Sequence, residues 1–262
     1  MATEQTAQGP LNNVPELHFQ ACSLCGAAAG ALPLLSGCSK LTIDLVSAET
    51  VEAMGLRAWE ELKAASRPSG IRALQAIADR VSTRLLTAAG EASGEWEVLV
   101  LERAEINAFA LPGNKIGIFE GMFRVVESDD QLAAVIGHEI GHLAAEHSQE
   151  RMNAQLLTGL GLQALSLLLN VGDVEYAAEI AAALGIGIEY GLVLPYSRRQ
   201  ELEADRLGVE NMASAGFDPR AAVELWRRMD VAAGTRTPEL LATHPAPSSR
   251  IEAIEAMLPE NI

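Results

Sequence analysis

The stretch IGHEIGHLAAEH, residues 136–147, sets three histidines and two glutamates into twelve residues of an otherwise apolar run. It is either a metal site or a helix that carries polar residues on its wet face. A helix is expected on either reading. Ser128 and Gln131 make an S-x-x-Q capping box, and Asp129 and Asp130 put negative charge into a positive first turn, so one long helix is predicted from about residue 129 to 152. Ala134, Val135, Leu143 and Ala144 supply its apolar setting.

On that helix His138 and His142 are four residues apart, share a face and can both reach one ion. Glu139 lies beside the first of them, placed to act on a water in an open coordination position. This is the HExxH arrangement of zinc peptidases. Gly141 inside the helix costs roughly 1 kcal/mol relative to Ala, a cost better tolerated where something must approach closely.

A catalytic zinc needs a third protein ligand. His147 lies nine residues from His138, which at about 100° per residue is the opposite face, and Ala145 and Ser148 break the HExxHxxGxxH spacing. It reads as a surface or second-sphere residue. RRQELEADRLG, residues 198–208, is the better source: Glu201 and Asp205 are four apart on a second helix, one to bind the ion and one to orient a ligand histidine through its other ring nitrogen. Glu203 is the rival ligand, about 200° round from Glu201 and unable to share its face with Asp205.

Around these two segments, residues 47–66 and 70–90 carry apolar residues at helical spacing, broken apart by Pro68 and Gly70. EWEVLVLE, residues 95–102, is rich in β-formers, and 106–121 reads as two short extended runs around the turn residues LPGN, 111–114, whose turn type stays open. Helix is expected over 197–216, with Asp218 and Pro219 starting another; THPAPSSR, 243–250, reads as a loop before a short terminal helix. The fold class is α+β, mostly helical, with a small β-sheet. Residues 156–194 are largely apolar; LLTGLGLQALSLLLN is short for a membrane span, and a buried or interfacial helix covering the site is preferred to a membrane hairpin.

The 262 residues are 49% hydrophobic and 21% charged, enough apolar material for a sizeable core. A net charge of -16 argues against nucleic acid and against electrostatic docking on anionic lipid. All three cysteines, Cys22, Cys25 and Cys38, lie near the N-terminus, so the body from 39 onward can hold no disulfide. CSLC has the spacing of a metal or redox pair but no second pair to complete it. Residues 21–35 are an apolar run of signal-peptide length, and LSGC, 35–38, resembles the bacterial lipobox, in which the cysteine is lipidated. The first basic residue is Lys40, so the basic n-region of a signal peptide is missing; a floppy apolar tail is the competing reading. The expected organisation is a signal or lipoprotein-like segment over 1–38, then a domain over 39–262, helical to 94 and carrying the site over 95–258.

NAFALPGNKIGIFEGMF, LAAVIGHEIGHLAAEHSQER, SRRQELEADRLGV and THPAPSSRI occur in that order between residues 107 and 251. In that order they resemble the M48 family of zinc metallopeptidases, zincin-type enzymes of the gluzincin group; the lipobox-like LSGC and the lack of multiple membrane spans point within it to the periplasmic branch, similar to Oma-type enzymes and the β-barrel assembly-enhancing protease. PGN stands where PGG is commoner. The resemblance implies one zinc per chain on His138, His142 and Glu201, Glu139 as base, and Asp205 behind the ligands. It implies that His244 can occupy the fourth position and hold the enzyme off, and that Arg250 lies near the substrate carbonyl. Asn107, Ala108, Phe109 and Ala110 would form an edge strand that pairs with an extended polypeptide substrate. The expected activity is hydrolysis of unfolded or misassembled proteins in envelope quality control, in a bacterial periplasm, with a lipid anchor at Cys38 and envelope assembly machinery as partner and no nucleic acid. The competing class is a latent or chaperone-like protein that keeps the fold.

Overall fold

A computed structural model describes residues 46–157, 196–232, 238–245 and 247–258. The expected cover over 156–194 and the expected signal and anchor segment over 1–38 fall almost wholly outside them. Among the described residues no helix is long and apolar enough to cross a membrane.

Helix α1, Ala48–Ala65, starts on Ser47, whose side chain accepts from the Thr50 N–H. Helix α2, Arg72–Ala88, follows after Pro68 and Gly70. Three short strands come next: β1 Glu97–Leu101, β2 Ala108–Leu111 and β3 Lys115–Phe119. They form one sheet in the order β1-β3-β2, β1 parallel and β2 antiparallel to β3. The β2–β3 turn carries φ 87 at Gly113 and φ 62 at Asn114. Gly takes that left-handed region without strain and Asn at little cost, which is why PGN serves here.

The period-2 alternation of a strand assigns the sheet's two faces. Leu101, Phe109, Leu111 and Phe119 pack on one side with Val51, Met54, Ala58 and Trp59 of α1. Val100, Ala108, Ala110, Ile116 and Ile118 join the larger core with Val81 and Leu85 of α2 and Leu132 and Ile136 of the next helix. That helix, α3, is Asp129–Ala144. Ser128 Oγ accepts from the Gln131 N–H, while the Gln131 side chain takes the Glu127 N–H instead of that of Ser128, so the expected box closes one residue early.

The long helix expected over 129–152 is two helices. α3 stops at Ala144, Glu146 adopts φ 53, and α4 runs His147–Leu157. Beyond it lie α5 Arg198–Ser214, with a complete Ser197/Gln200 capping box, and α6 Arg220–Ala232. The short α7 Glu239–Thr243 precedes α8 Pro247–Met257. THPAPSSR is therefore mostly not a loop: α8 starts inside it, with Pro247 at the first helical position where its missing N–H costs nothing.

Candidate metal centre

Two helices build the site by touching backbone to backbone. A Cβ on Gly141 would lie 2.7 Å from the Ala204 carbonyl oxygen, and one on Gly208 would lie 2.9 Å from the His138 nitrogen, with Gly137 equally close. At Gly137, Gly141 and Gly208 the backbones of α3 and α5 come close together, which brings Glu201 and Asp205 up to the α3 histidines. Gly141 sits where the sequence demanded a close approach.

His138, His142, Glu201 and His244 converge, each buried, with one donor atom apiece within 4.8 Å of all the others. His138 Nε2 is 3.1 Å from both His142 Nε2 and His244 Nδ1. Glu201 Oε1 is 3.4 Å from His142 Nε2 and 2.9 Å from His244 Nδ1. A tetrahedral zinc, with ligands at about 2.0–2.1 Å, separates them by about 3.3 Å. Three imidazole nitrogens and a carboxylate facing one point cannot satisfy each other with protons alone, because facing ring nitrogens can share only one proton between them. The donor set and its spacing therefore fit zinc. Beside them Glu139 Oε1 is buried without a hydrogen-bond partner, 3.5 Å from His244 Nε2. Its other oxygen accepts from the Ala110 N–H at 3.2 Å.

Behind the donors stands a second layer of charge. Asp205 Oδ1 is 2.9 Å from His138 Nδ1, which leaves Nε2 of that ring as the lone pair. Arg250 is fully buried, donates through Nε and Nη2 to Asp205 at 2.7 and 2.6 Å, pairs through Nη1 with Glu201 at 2.6 Å, and lies 3.7 Å over the Trp226 ring. Its Nη2 also lies 3.2 Å from His138 Nδ1 and 3.3 Å from His138 Nε2, so the guanidinium faces a ligand ring as well as the α5 carboxylates. Trp226 also meets His138 edge-on, and Tyr196 stacks on His142 at 3.9 Å, with Arg151 4.0 Å over the Tyr196 ring. Neither aromatic was singled out from sequence. Tyr196, just before an N-cap, signals a helix start and nothing more.

His147 is also not where straight-helix geometry put it. It is buried, its Nδ1 lies 2.9 Å from His142 Nδ1, and its Nε2 lies 3.5 Å from Glu203. The break at Glu146 turns the ring back toward the site. Glu203, the rival ligand, faces this histidine and Arg199, away from the four donors. His244 caps α7, its N–H bonded to the Leu240 carbonyl. Asn107 and Ala108 to Ala110 are buried at the β2 edge, where Asn107 Nδ2 has no hydrogen-bond partner.

Burial and charge oppose each other at each titrating group. Burial pushes the Glu139 carboxyl above its ordinary value, against the pull of His244 and His138. Burial would raise Glu201 too, but His244 and Arg250 hold it well below the usual carboxylate range. Asp205 is likewise held down by Arg250 against its own burial. His142 is driven well below its ordinary value by burial, which keeps it neutral, the form in which imidazole binds a metal. His244 is raised: burial works downward, but Glu201 and Glu139 outweigh it.

Residues 72–258 match the profile of Peptidase family M48. Among curated proteins, the chain is 37% identical over 185 residues to the mitochondrial metalloendopeptidase OMA1 of Schizosaccharomyces pombe, covering 69% of this chain and 52% of that one. It is 32% identical over 174 residues to the beta-barrel assembly-enhancing protease of Escherichia coli, covering 64% and 35%. It is 31% identical over 171 residues to human OMA1, covering 63% and 33%. The aligned part thus spans about half or less of each of these relatives.

Proposed function

The chain belongs to peptidase family M48, and on that premise we propose that it is a zinc-dependent metalloendopeptidase. The observation that carries the proposal is the group His138, His142, Glu201 and His244, spaced as a tetrahedral ion spaces its ligands, with the free oxygen of Glu139 alongside.

His138, His142 and Glu201 would hold the zinc. A zinc ion held there supplies a Lewis acid that polarises the scissile carbonyl and brings the pKa of a water to about 7. Glu139 works through Oε1: it takes the water's proton and hands it to the leaving nitrogen, while the Ala110 N–H holds Oε2 still. Burial supports this part, since a carboxylate raised above its ordinary value takes up a proton more readily. Arg250 keeps Glu201 and Asp205 ionised and in place. Asn107 to Ala110, on the outer strand of the sheet among the described residues, would pair by main chain with an extended substrate, a mode that ignores most side-chain identities and suits unfolded or misassembled clients.

His244 holds the fourth position in the arrangement described, with Nε2 toward the base. That is a closed state. Opening requires His244 to withdraw from the donor group, and a ring N–H of the withdrawn imidazole is a donor suited to a developing oxyanion. The E. coli relative is named for enhancing β-barrel assembly, which supports an envelope setting with assembly machinery nearby; a part in protein quality control belongs to the same reading, and LSGC adds an anchor at Cys38.

Cleavage of casein by zinc-loaded protein tests the reading. The wild type should cleave. Glu139→Gln should keep its zinc and lose on the order of 10²-fold or more in kcat. Pro245→Gly, which loosens the link after His244, should raise basal cleavage. A Glu139→Gln protein as active as wild type would remove Glu139 from the mechanism, and a Pro245→Gly rate equal to wild type would remove the latch.

A further inference from the structure

The metal site has two histidines on α3, and only one of them has an obvious partner behind it. His138 is backed by Asp205. Behind His142 stands another histidine, which the proposed mechanism does not use. His147 is 1% exposed, and its Nδ1 faces the Nδ1 of His142 at 2.9 Å. We propose that His147 is a positioning residue, which fixes the tautomer and ring orientation of His142 and is itself fixed by Glu203.

Two ring nitrogens at 2.9 Å hold one proton between them. A carboxylate can only accept, so Glu203 at 3.5 Å from His147 Nε2 draws the His147 proton to that nitrogen. His147 Nδ1 is then a lone pair, and the shared proton belongs to His142 Nδ1. That leaves His142 Nε2 bare, pointing at His138 Nε2 3.1 Å away and at Glu201 Oε1. The row Glu203, His147, His142 therefore presets the form of His142 that binds an ion, as Asp205 presets His138. Arg199 anchors the far end: it bonds Glu203 at 3.3 Å and also pairs with Glu150 of α4. His147 is not a ligand, because its near nitrogen meets the back of a ligand.

The backbone is shaped for this contact. On an unbroken helix a residue five positions after His142 would stand about 140° away from it. The break, with Glu146 at φ 53 and its N–H on the Leu143 carbonyl, swings α4 so that its first residue reaches back. A non-glycine residue adopts this left-handed region only against a steric cost. Here the residue that follows it closes the second layer of the site.

The inference rests on the zinc reading of this site, and its test reads metal affinity, so the two can fail separately. Zinc affinity is measured by chelator competition on the full chain, with thermal melts of the metal-free proteins as the folding control. His147→Leu fills the space without a polar atom and should weaken zinc by about 10- to 100-fold. His147→Asn returns an acceptor near the Nδ1 position and should recover most of that loss. Glu203→Ala, at a half-exposed position that leaves the core alone, should weaken zinc several-fold, and it decides the matter if His147→Leu does not fold. Wild-type zinc affinity in His147→Leu, or in Glu203→Ala where the former is unfolded, overturns the proposal. A loss that Asn does not recover also overturns it and makes His147 a packing residue. A wild type that takes up no zinc removes the metal reading itself, before any variant is compared.

Discussion

Arg250 reaches three residues of the site at once, Asp205, Glu201 and His138. Its buried guanidinium faces all three, so two buried carboxylates share one cation. Removing one partner of such a set leaves charge uncompensated, at a cost of about 3–5 kcal/mol. Arg250→Met, which keeps the volume and loses the charge, should lower unfolding free energy by that order in urea titration of the metal-free protein. A change within about 0.5 kcal/mol would mean that the carboxylates find other partners. The pairs His138/His142 and Glu201/Asp205 were legible in sequence because residues four apart on a helix must be neighbours, and Glu139 was legible from the HExxH pattern. The surroundings of Arg250, Trp226 and Tyr196 were not, because each reaches the site through a contact between distant segments.

At the scale of elements, the site depends on how closely α3 and α5 approach. Gly137 and Gly208 lie face to face, and a Cβ on Gly208 would meet main-chain atoms, which cannot rotate away. Gly208→Ala should therefore push the helices apart, costing about 1–3 kcal/mol despite the better helix propensity of Ala. It should also weaken zinc, because Glu201 moves with α5. Differential scanning calorimetry with and without zinc reads both effects; a rise in Tm in both would contradict the close approach. Most elements could be read from period and caps: the strands, the β2–β3 turn and the starts of α1, α3 and α5. The end of α3 could not. LAAEHSQER contains no Gly or Pro, and every residue in it favours or tolerates helix. The helix stops where His147 comes to lie buried against His142, a tertiary contact that local propensity cannot show.

For the whole molecule, a sheet between α1 and the larger core holds the β2 edge beside α3, and α5 to α8 close the other side with Glu201, Arg250 and His244. The resemblance stated from ordered motifs and the family match over 72–258 agree because those motifs carry the parts that must meet in space. The proposed anchor is independent of them. Cys38→Ser should move the protein from the membrane fraction to the soluble one and abolish labelling by a fatty-acid analogue; identical fractionation would remove the anchor and leave the peptidase untouched. The central claim is that one ion joins α3, α5 and the segment after α7. Elemental analysis of gently purified protein tests it most directly. About one zinc per chain is predicted for the wild type, with none left in the His138→Ala, His142→Ala double variant; a wild type that is metal-free and takes up no added zinc, or a double variant that keeps its full equivalent, would contradict it.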